Sequence, residues 1–338
     1  MLYRLTWTAT LILGSTIGFV IWIMLTTPNA ADIKGCLQTS LYQVWLCEGN
    51  ENPNYRRLAE ISPYLKNLVL ISEDASFYGH NGFDWAELKN SFERNLAAGR
   101  AARGGSTITQ QLAKNVFLNS DKTLLRKARE ALLTVQIETI LTKDKIFEKY
   151  LNVIEFAPNI YGAEAAAHFY FRKSAQSLNL LEAAYLTHLI PNPKIYYRTF
   201  LKSELTPFSK SRITDLCYRL MKTKRISEDQ YQAAKASLNF FPWYSLPAEL
   251  LARLGSASTQ TDIHDAIDES TLAPSGTNDR PPENSAADPA LGSEIDQAVD
   301  PGVEPTIDAT QLDQPTDGDA QTAPEPTPSP SPSSPFEP

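Results

Sequence analysis

The chain has 338 residues, 42% of them hydrophobic, and a formal net charge of −8 at pH 7. This charge is unevenly distributed: residues 254–338 carry 17 acidic side chains and one basic side chain, whereas residues 1–253 carry 30 basic and 22 acidic ones. The acidic tail also holds 14 of the 23 prolines, so it cannot bury enough apolar surface to fold, and we predict that it is disordered.

The first predicted element is a membrane anchor at residues 6–27. Residues 6–26 contain no charged side chain and are rich in Leu, Ile, Val and Trp, and about 20 such residues span a bilayer core as a helix. Arg4 favours a cytoplasmic location for residues 1–5. A cleaved signal peptide is the alternative, but its apolar region would be unusually long and residues 27–31 lack a clean small-x-small cleavage site.

A polar linker is predicted over residues 28–57, and it contains two of the three cysteines, Cys36 and Cys47. A disulfide between them would close a short loop and stabilise the fold by about 3 kcal/mol in the chain-entropy model. It would also place the body of the protein in an oxidising compartment. Two free thiols are the alternative. The third cysteine, Cys217, lies among aliphatic residues at helical spacing and is predicted to be a core residue.

Helical periodicity dominates from about residue 58 onward, and alternating strand patterns are scarce. The pattern predicts an all-α domain of roughly 190 residues, enough for a sizeable core. Its positive charge suits an anionic partner such as pyrophosphate, anionic lipid or nucleic acid. Helix starts are predicted at Pro63, Asp84, Thr107, Asp121, Thr142, Asn179 and Ser227. The helix after Asp121 is expected to carry its apolar residues on one face, namely Leu124, Leu125, Ala128, Leu132 and Val135.

The most informative stretch is residues 103–115, Arg-Gly-Gly-Ser-Thr-Ile-Thr-Gln-Gln-Leu-Ala-Lys-Asn. Thr107 with Gln110 forms a capping-box pattern, which predicts a helix start. Backbone N–H groups and the positive end of the helix dipole at such a start attract anions. Gln111 and Lys114 lie three residues apart on a face separate from the apolar one, so both can point into a cleft. A capped amphipathic helix with a solvated lysine is the alternative.

Two further segments carry candidate acids. Glu73 and Asp74 are adjacent in a polar loop that also contains His80, and such a pair can supply a general base and an electrostatic or metal-binding neighbour. A solvated loop is the alternative. Arg126 and Glu130 lie one helical turn apart. They are either a surface ion pair or a second acid beside cations that bind phosphate oxygens.

Together these segments closely resemble the peptidoglycan glycosyltransferase family, which comprises the glycan-polymerising domain of class A penicillin-binding proteins and the monofunctional enzymes. The resemblance covers about residues 60 to 205, and Gly-Gly-Ser-Thr-Ile-Thr-Gln-Gln makes it very specific. It rests on five motifs in the family's order, at Glu73–Asp84, Gly104–Asn115, Arg126–Glu130, Lys145–Asn152 and Leu180–Pro193.

The resemblance implies a lysozyme-like helical domain with a membrane-adjacent jaw over residues 58–205, with further helices over residues 206–253. The implied reaction polymerises lipid II, a disaccharide-peptide on undecaprenyl pyrophosphate, into β-1,4-linked glycan. The family's catalytic base matches Glu73, and its second acid matches Glu130. The residues implied to bind the substrate are Asp74, Ser106, Thr107, Gln111, Lys114, Asn115, Arg126 and Lys127.

The resemblance also implies partners and a location. A divalent cation such as Mg²⁺ could share the charge of the diphosphate, with Asp74 as its candidate ligand, and no organic cofactor is expected. The implied partners are lipid II, the lipid-linked glycan chain and the membrane, and no nucleic acid. The implied location is the bacterial inner membrane, crossed once, with the catalytic domain on the periplasmic side. The family pattern does not explain the acidic, proline-rich tail; from its composition and length alone we hypothesise that it recruits cell-wall or division proteins.

One part of the family pattern is missing, and two alternative functions remain open. No Ser-x-x-Lys occurs in the sequence, and Lys222-Thr223-Lys224 stands where a Lys-Thr-Gly could be sought, so we predict a monofunctional enzyme without transpeptidase activity. A lysozyme-like glycan-cleaving enzyme is one alternative, and a membrane-anchored cell-wall scaffold is the other. The cations Lys114, Arg126 and Lys127 argue against cleavage of neutral sugar linkages.

Overall fold

A computed structural model describes residues 2–98, 105–121 and 123–255 of the chain, and the tail beyond residue 255 lies outside the described residues. The described part confirms the all-α prediction, with one short hairpin of strands β1 (Glu155–Ala157) and β2 (Ile160–Tyr161). The helices are α1 (Leu2–Thr26), α2 (Pro63–Glu73), α3 (Trp85–Ala98), α4 (Ile108–Phe117), α5 (Leu124–Ile140), α6 (Lys143–Val153), α7 (Ala163–Phe171), α8 (Leu180–Leu189), α9 (Pro193–Tyr196), α10 (Arg198–Leu201), α11 (Pro207–Lys222), α12 (Glu228–Ser237) and α13 (Ala248–Leu254).

The polar residues that precede the helices fix most of the helix starts. Capping boxes at Thr107, Asn179 and Ser227 begin α4, α8 and α12 as predicted. The predicted start of α5 at Asp121 is wrong. The N-cap is Thr123, whose hydroxyl accepts the backbone N–H of Arg126 at 3.1 Å, so the first free N–H groups of α5 take a nearer acceptor.

Helix α2 lies at the centre of the domain, with α8 and α11 packed against it. Every residue from Tyr64 to Ile71 of α2 is buried, as is all of α8, which is the pattern of helices surrounded by protein. The helices of residues 206–253 are therefore part of this core rather than an appendage. Helix α12 also contacts α2, because the hydroxyl of Tyr64 accepts from Gln230 Nε2 at 3.0 Å.

Helix α1 is long and apolar enough to cross a membrane by length and composition, consistent with a single-pass anchor. Its end contacts α5, where Arg129 donates to the hydroxyl of Thr26 at 3.0 Å and lies over the ring of Trp22. The predicted linker at residues 28–57 packs on the domain. Ile33 and Leu46 are fully buried in the core, and a disulfide joins Cys36 to Cys47.

The apolar face that the sequence pattern indicates for α5 is not the face that the fold buries. The buried residues of α5 are Glu130, Leu133, Thr134 and Ile137, whereas Leu124 is 91% exposed and Val135 is 50% exposed. Apolar residues occur on both the buried and the exposed face of this helix, so the periodicity of the sequence does not show which face packs against the core. Helix α3 also exposes apolar residues, with Trp85, Phe92 and Leu96 each more than two-thirds exposed.

Candidate active site

The site is built where the C-terminus of α2 meets the side of α4. Glu73 is the last residue of α2, and its Oε2 accepts from Gln111 Nε2 on α4 at 3.0 Å. Its other oxygen, Oε1, accepts from the hydroxyl of Ser72 at 3.3 Å. Burial raises the pKa of Glu73, and these two hydrogen bonds together with the charge of Arg212 oppose that rise.

Asp74 joins the loop after α2 to the start of α4. Its Oδ1 accepts from His80 Nε2 at 2.9 Å, and its Oδ2 accepts from the backbone N–H of Ile108, the first residue of α4, at 3.0 Å. A carboxylate at this position accepts a hydrogen bond from a free N–H group of the first turn, and the positive end of the helix dipole stabilises its negative charge. Asp74 therefore sets where Gln111 and Lys114 stand relative to Glu73.

Lys114 lies one turn beyond Gln111 and is half-buried. Burial lowers the pKa of its ammonium group, and four charged side chains act on it in addition. The carboxylates of Glu130 and Glu73 raise that pKa, whereas the cations Arg126 and Lys127 lower it. The charges of Glu73 and of the first turns of α5 therefore both act on the ammonium group of Lys114.

The first turns of α5 carry a buried acid between two cations. Glu130 is 3% exposed, with one oxygen on Lys127 Nζ and the other 3.4 Å from Arg126 Nη1. Lys127 also donates to the hydroxyl of Ser106 at 3.3 Å, which connects α5 to the residue before the cap of α4. The Nε of Arg126 is buried and has no hydrogen-bond partner among the described residues.

Two predicted substrate-binding residues are more buried than expected. Thr107 is buried, and its hydroxyl donates to the carbonyl of Gly82 at 2.7 Å while it caps α4. Asn115 is also buried, and its Oδ1 has no partner in the part of the chain that the structure describes. The structure thus gives Thr107 a positioning role at the start of α4. Gly104, in the same motif, lies outside the described residues.

Asp74, the candidate metal ligand, lies beside two other possible ligands, His80 and Asp84. Atoms of Asp74, His80 and Asp84 lie within 4.8 Å of one another. However, both oxygens of Asp74 already accept N–H groups, and Asp84 accepts from the hydroxyl of Ser76 and, at 2.7 Å, from the backbone N–H of Glu87. Mg²⁺ prefers an octahedral shell of oxygens and waters. This set includes an imidazole, and its oxygens are engaged, so it does not fit a Mg²⁺ site as folded.

The fourth motif, Lys145–Asn152, mainly forms hydrogen bonds to the segment that precedes α2. Glu148 of α6 accepts the hydroxyl of Tyr55 at 2.9 Å and the backbone N–H of Leu58 at 3.0 Å. Asn152, one turn later, accepts the backbone N–H of Arg56 at 2.8 Å and donates to its carbonyl at 2.8 Å. The fifth motif includes α8, which is buried against α2. Both motifs therefore hold α2, and with it Glu73, in place.

Two residues at the site were not among the predicted ones. Arg212 of α11 acts on the charge of Glu73, although it lies beyond the five motifs. Tyr150 of α6 donates its hydroxyl to Gln111 Oε1 at 3.1 Å, whereas the sequence analysis assigns it no role beyond its place in the motif Lys145–Asn152. Neither role leaves a local sequence signal, because each depends on packing between distant helices.

The chain is similar to known proteins over this region. A family model described as Transglycosylase matches residues 39–214. The chain is 53% identical over 137 residues to a protein from Chromobacterium violaceum, 49% over 149 residues to one from Alcanivorax borkumensis, and 49% over 153 residues to one from Laribacter hongkongensis. Each is named biosynthetic peptidoglycan transglycosylase. These matches cover 40%, 44% and 45% of this chain, and they span 60%, 61% and 66% of those relatives.

Proposed function

Because the family model covers just over half of the chain, the protein belongs to the transglycosylase family, and we propose that it is a monofunctional peptidoglycan glycosyltransferase. Its substrate is lipid II, which it polymerises into β-1,4-linked glycan strands with release of undecaprenyl pyrophosphate. The observation that carries this proposal is that both groups contact the start of α4: Gln111 on α4 donates to Glu73 at 3.0 Å, and Lys127 of α5 donates at 3.3 Å to Ser106, just before the cap of α4. This arrangement supports a base and a group of cations on either side of the start of α4.

In the proposed reaction Glu73 is the general base. Its carboxylate takes the proton of the 4-hydroxyl of the acceptor N-acetylglucosamine, and the oxygen attacks C1 of the donor N-acetylmuramic acid from the opposite side of the leaving group. The new C1–O bond forms as the old C1–O bond breaks, and the electron pair of the broken bond leaves with the diphosphate. The configuration at C1 is inverted, which gives the β linkage.

The cations serve the leaving group in this proposal. Negative charge gathers on the diphosphate as the glycosidic bond breaks, so cations held there stabilise the transition state more than the ground state. Lys114, Arg126 and Lys127 supply this charge, and Glu130 orients the last two through its two oxygens. A glycan-cleaving enzyme acting on neutral linkages needs no such group, and the names of the relatives do not favour that alternative.

The reaction is tested with the purified full-length protein in detergent and lipid II. We expect long, lysozyme-sensitive glycan and one undecaprenyl pyrophosphate per new bond. Lys114→Ala should reduce kcat/KM by about 30-fold or more, as expected for loss of a charged contact to a buried group. Lys235→Ala, at an exposed lysine on α12, is the matched control. Cleavage of preformed glycan in place of polymerisation would contradict the proposal.

The location and the other partners are part of the same proposal. The apolar helix α1 supports a single crossing of the bacterial inner membrane, and the disulfide Cys36–Cys47 supports a periplasmic catalytic domain. A divalent ion on the diphosphate stays a prediction from the sequence, and no step is assigned to it. Recruitment of cell-wall or division proteins by the tail is tested by deleting residues 254–338. Unchanged localisation and unchanged co-purifying proteins would contradict it.

A further inference from the structure

We propose that Tyr150 is a positioning residue for the general base, acting through Gln111. The inference rests on the proposed function, because it assigns a role in the reaction to a residue that does not touch the substrate. The contacts that carry it form a hydrogen-bond chain across three helices, in which Tyr150 of α6 donates to Gln111 Oε1 at 3.1 Å and Gln111 Nε2 donates to Glu73 Oε2 at 3.0 Å.

The direction of each hydrogen bond follows from the chemistry of the three groups. An ionised carboxylate only accepts hydrogen bonds, so Gln111 must present its NH₂ group to Glu73. The amide oxygen of Gln111 then points away from Glu73 and needs a donor, which the hydroxyl of Tyr150 provides. If the amide turned over, its oxygen would face the carboxylate and its NH₂ group would face the tyrosine. The carboxylate of Glu73 excludes that orientation, because it cannot donate to an amide oxygen, and the hydroxyl of Tyr150 holds Gln111 in the productive one.

Tyr150 is well suited to act as a fixed donor. The side chain is fully buried, so it has no water to replace Gln111 as a partner. Burial and the negative charges of Glu73 and Asp74 raise the pKa of Tyr150 well above its ordinary value, which keeps the hydroxyl protonated. The helix that carries Tyr150 is itself held in place, because Glu148 and Asn152 bind the backbone around residues 56–58.

Loss of the hydrogen bond from Tyr150 should affect the orientation of Glu73 more than the binding of substrate. Gln111 has several rotatable bonds, and without a partner for its oxygen it would spend less time beside Glu73. The carboxylate would then sample orientations that do not meet the acceptor hydroxyl. Small errors in the position of a reacting group are costly for rate. An interaction that matters only when the proton is transferred lowers kcat and leaves KM largely unchanged.

The test is a double-mutant cycle measured with lipid II and the full-length protein. Tyr150→Phe removes only the hydroxyl, and we expect it to lower kcat about threefold to tenfold, the range for one hydrogen bond, with KM changed by less than about twofold. In a Gln111→Ala background, the same change should have almost no effect on kcat, because the residue through which Tyr150 acts is gone.

The matched control is Tyr170→Phe. Tyr170 is also fully buried, and its hydroxyl donates to the backbone carbonyl of Phe156 at 2.9 Å. Both variants should lose similar thermal stability, but only Tyr150→Phe should lower kcat. The proposal is overturned if the two variants have the same kcat, or if the loss caused by Tyr150→Phe persists in full in the Gln111→Ala background.

A second measurement separates this proposal from the proposed function. Crystal structures of the unaltered protein and of Tyr150→Phe compare the distance from Gln111 Nε2 to Glu73 Oε2. We expect a hydrogen bond in the first and its loss or lengthening in the second, and an unchanged distance would overturn the proposal. If the unaltered protein makes no glycan from lipid II, the proposed function fails, and this comparison still decides whether Tyr150 orients Gln111.

Discussion

At the scale of single residues, Glu73 is subject to two opposing influences. Burial raises the pKa of its carboxyl group and so favours the protonated form, whereas hydrogen bonds from Gln111 and Ser72 and the charge of Arg212 favour the ionised form. A stronger base has a higher pKa but must still be ionised at the working pH. Burial of Glu73 therefore raises the pKa of the base, and the donors Gln111 and Ser72 act in the opposite direction by binding the carboxylate.

The pH dependence of kcat/KM should follow these shifts. Glu73 must be ionised, so the rate should fall as the pH drops through a pKa that burial has raised above that of an ordinary glutamate, about 4.3. Lys114 must be charged, and burial lowers its pKa. The rate should therefore also fall, at high pH, earlier than an ordinary lysine would cause. The expected result is a bell-shaped profile with both limbs moved inward.

The variant Lys114→Arg identifies the basic limb of that profile. A guanidinium stays charged throughout the accessible range, so the substitution should move the basic limb to higher pH and leave the acid limb in place. An acid limb at or below about pH 4.3 in the unaltered protein would contradict the role given to burial at Glu73.

At the scale of elements, local sequence chemistry predicts where helices begin better than which way they face. The capping boxes at Thr107, Asn179 and Ser227 are readable because both partners lie within four residues. The face of α5 was not readable, because apolar residues occur on both sides of it. Glu130 lies on the buried side only because Arg126 and Lys127 neutralise it there.

The start of α5 gives a prediction of stability. Thr123→Ala removes the acceptor for the N–H of Arg126 and should lower the free energy of unfolding by about 1 kcal/mol. Asp121→Ala is the matched control and should change it by less than about 0.5 kcal/mol, the usual range for surface substitutions. Urea denaturation of both variants checks this. A larger loss for Asp121→Ala would mean that the helix begins at Asp121 after all.

The candidate site was predictable where its residues lie within one motif. Gln111 and Lys114 share a face of α4 by helical spacing alone, and Arg126 pairs with Glu130 in the same way. The hydrogen bond from Gln111 to Glu73 joins residues 38 positions apart, so only the fold reveals it. Tyr150 lies 39 positions from Gln111, so the sequence does not show that its hydroxyl reaches Gln111.

At the scale of the whole molecule, the segment between the anchor and α2 is part of the folded domain. The backbone N–H of Ser40 donates to the carbonyl of Val116 at 2.8 Å, and Ile33 and Leu46 lie in the core. The sequence pattern predicts a polar linker, yet Ala30, Ile33, Leu46 and Tyr55 of this segment are buried, whereas Trp45 is 39% exposed. The anchor is thus joined to the catalytic domain by ordered structure among the described residues.

The disulfide of this segment should contribute measurably to stability. The joint variant Cys36→Ser and Cys47→Ser should lower the free energy of unfolding by about 3 kcal/mol, because the crosslink no longer restricts the unfolded chain. A reductant should lower the stability of the unaltered protein by a similar amount and have no effect on the variant, which retains the buried thiol of Cys217. Unfolding of the unaltered protein that is insensitive to reductant would contradict the prediction.

The most direct test of the proposed mechanism is the rate of lipid II polymerisation by Glu73→Gln. The substitution keeps the size of the side chain and removes its ability to accept a proton, so kcat should fall by at least about 100-fold, the lower range for general base catalysis. Glu249→Gln, at an exposed glutamate on α13, should keep the original rate. If Glu73→Gln retains more than about a tenth of the rate, the general base is another residue and the role assigned to Glu73 is wrong.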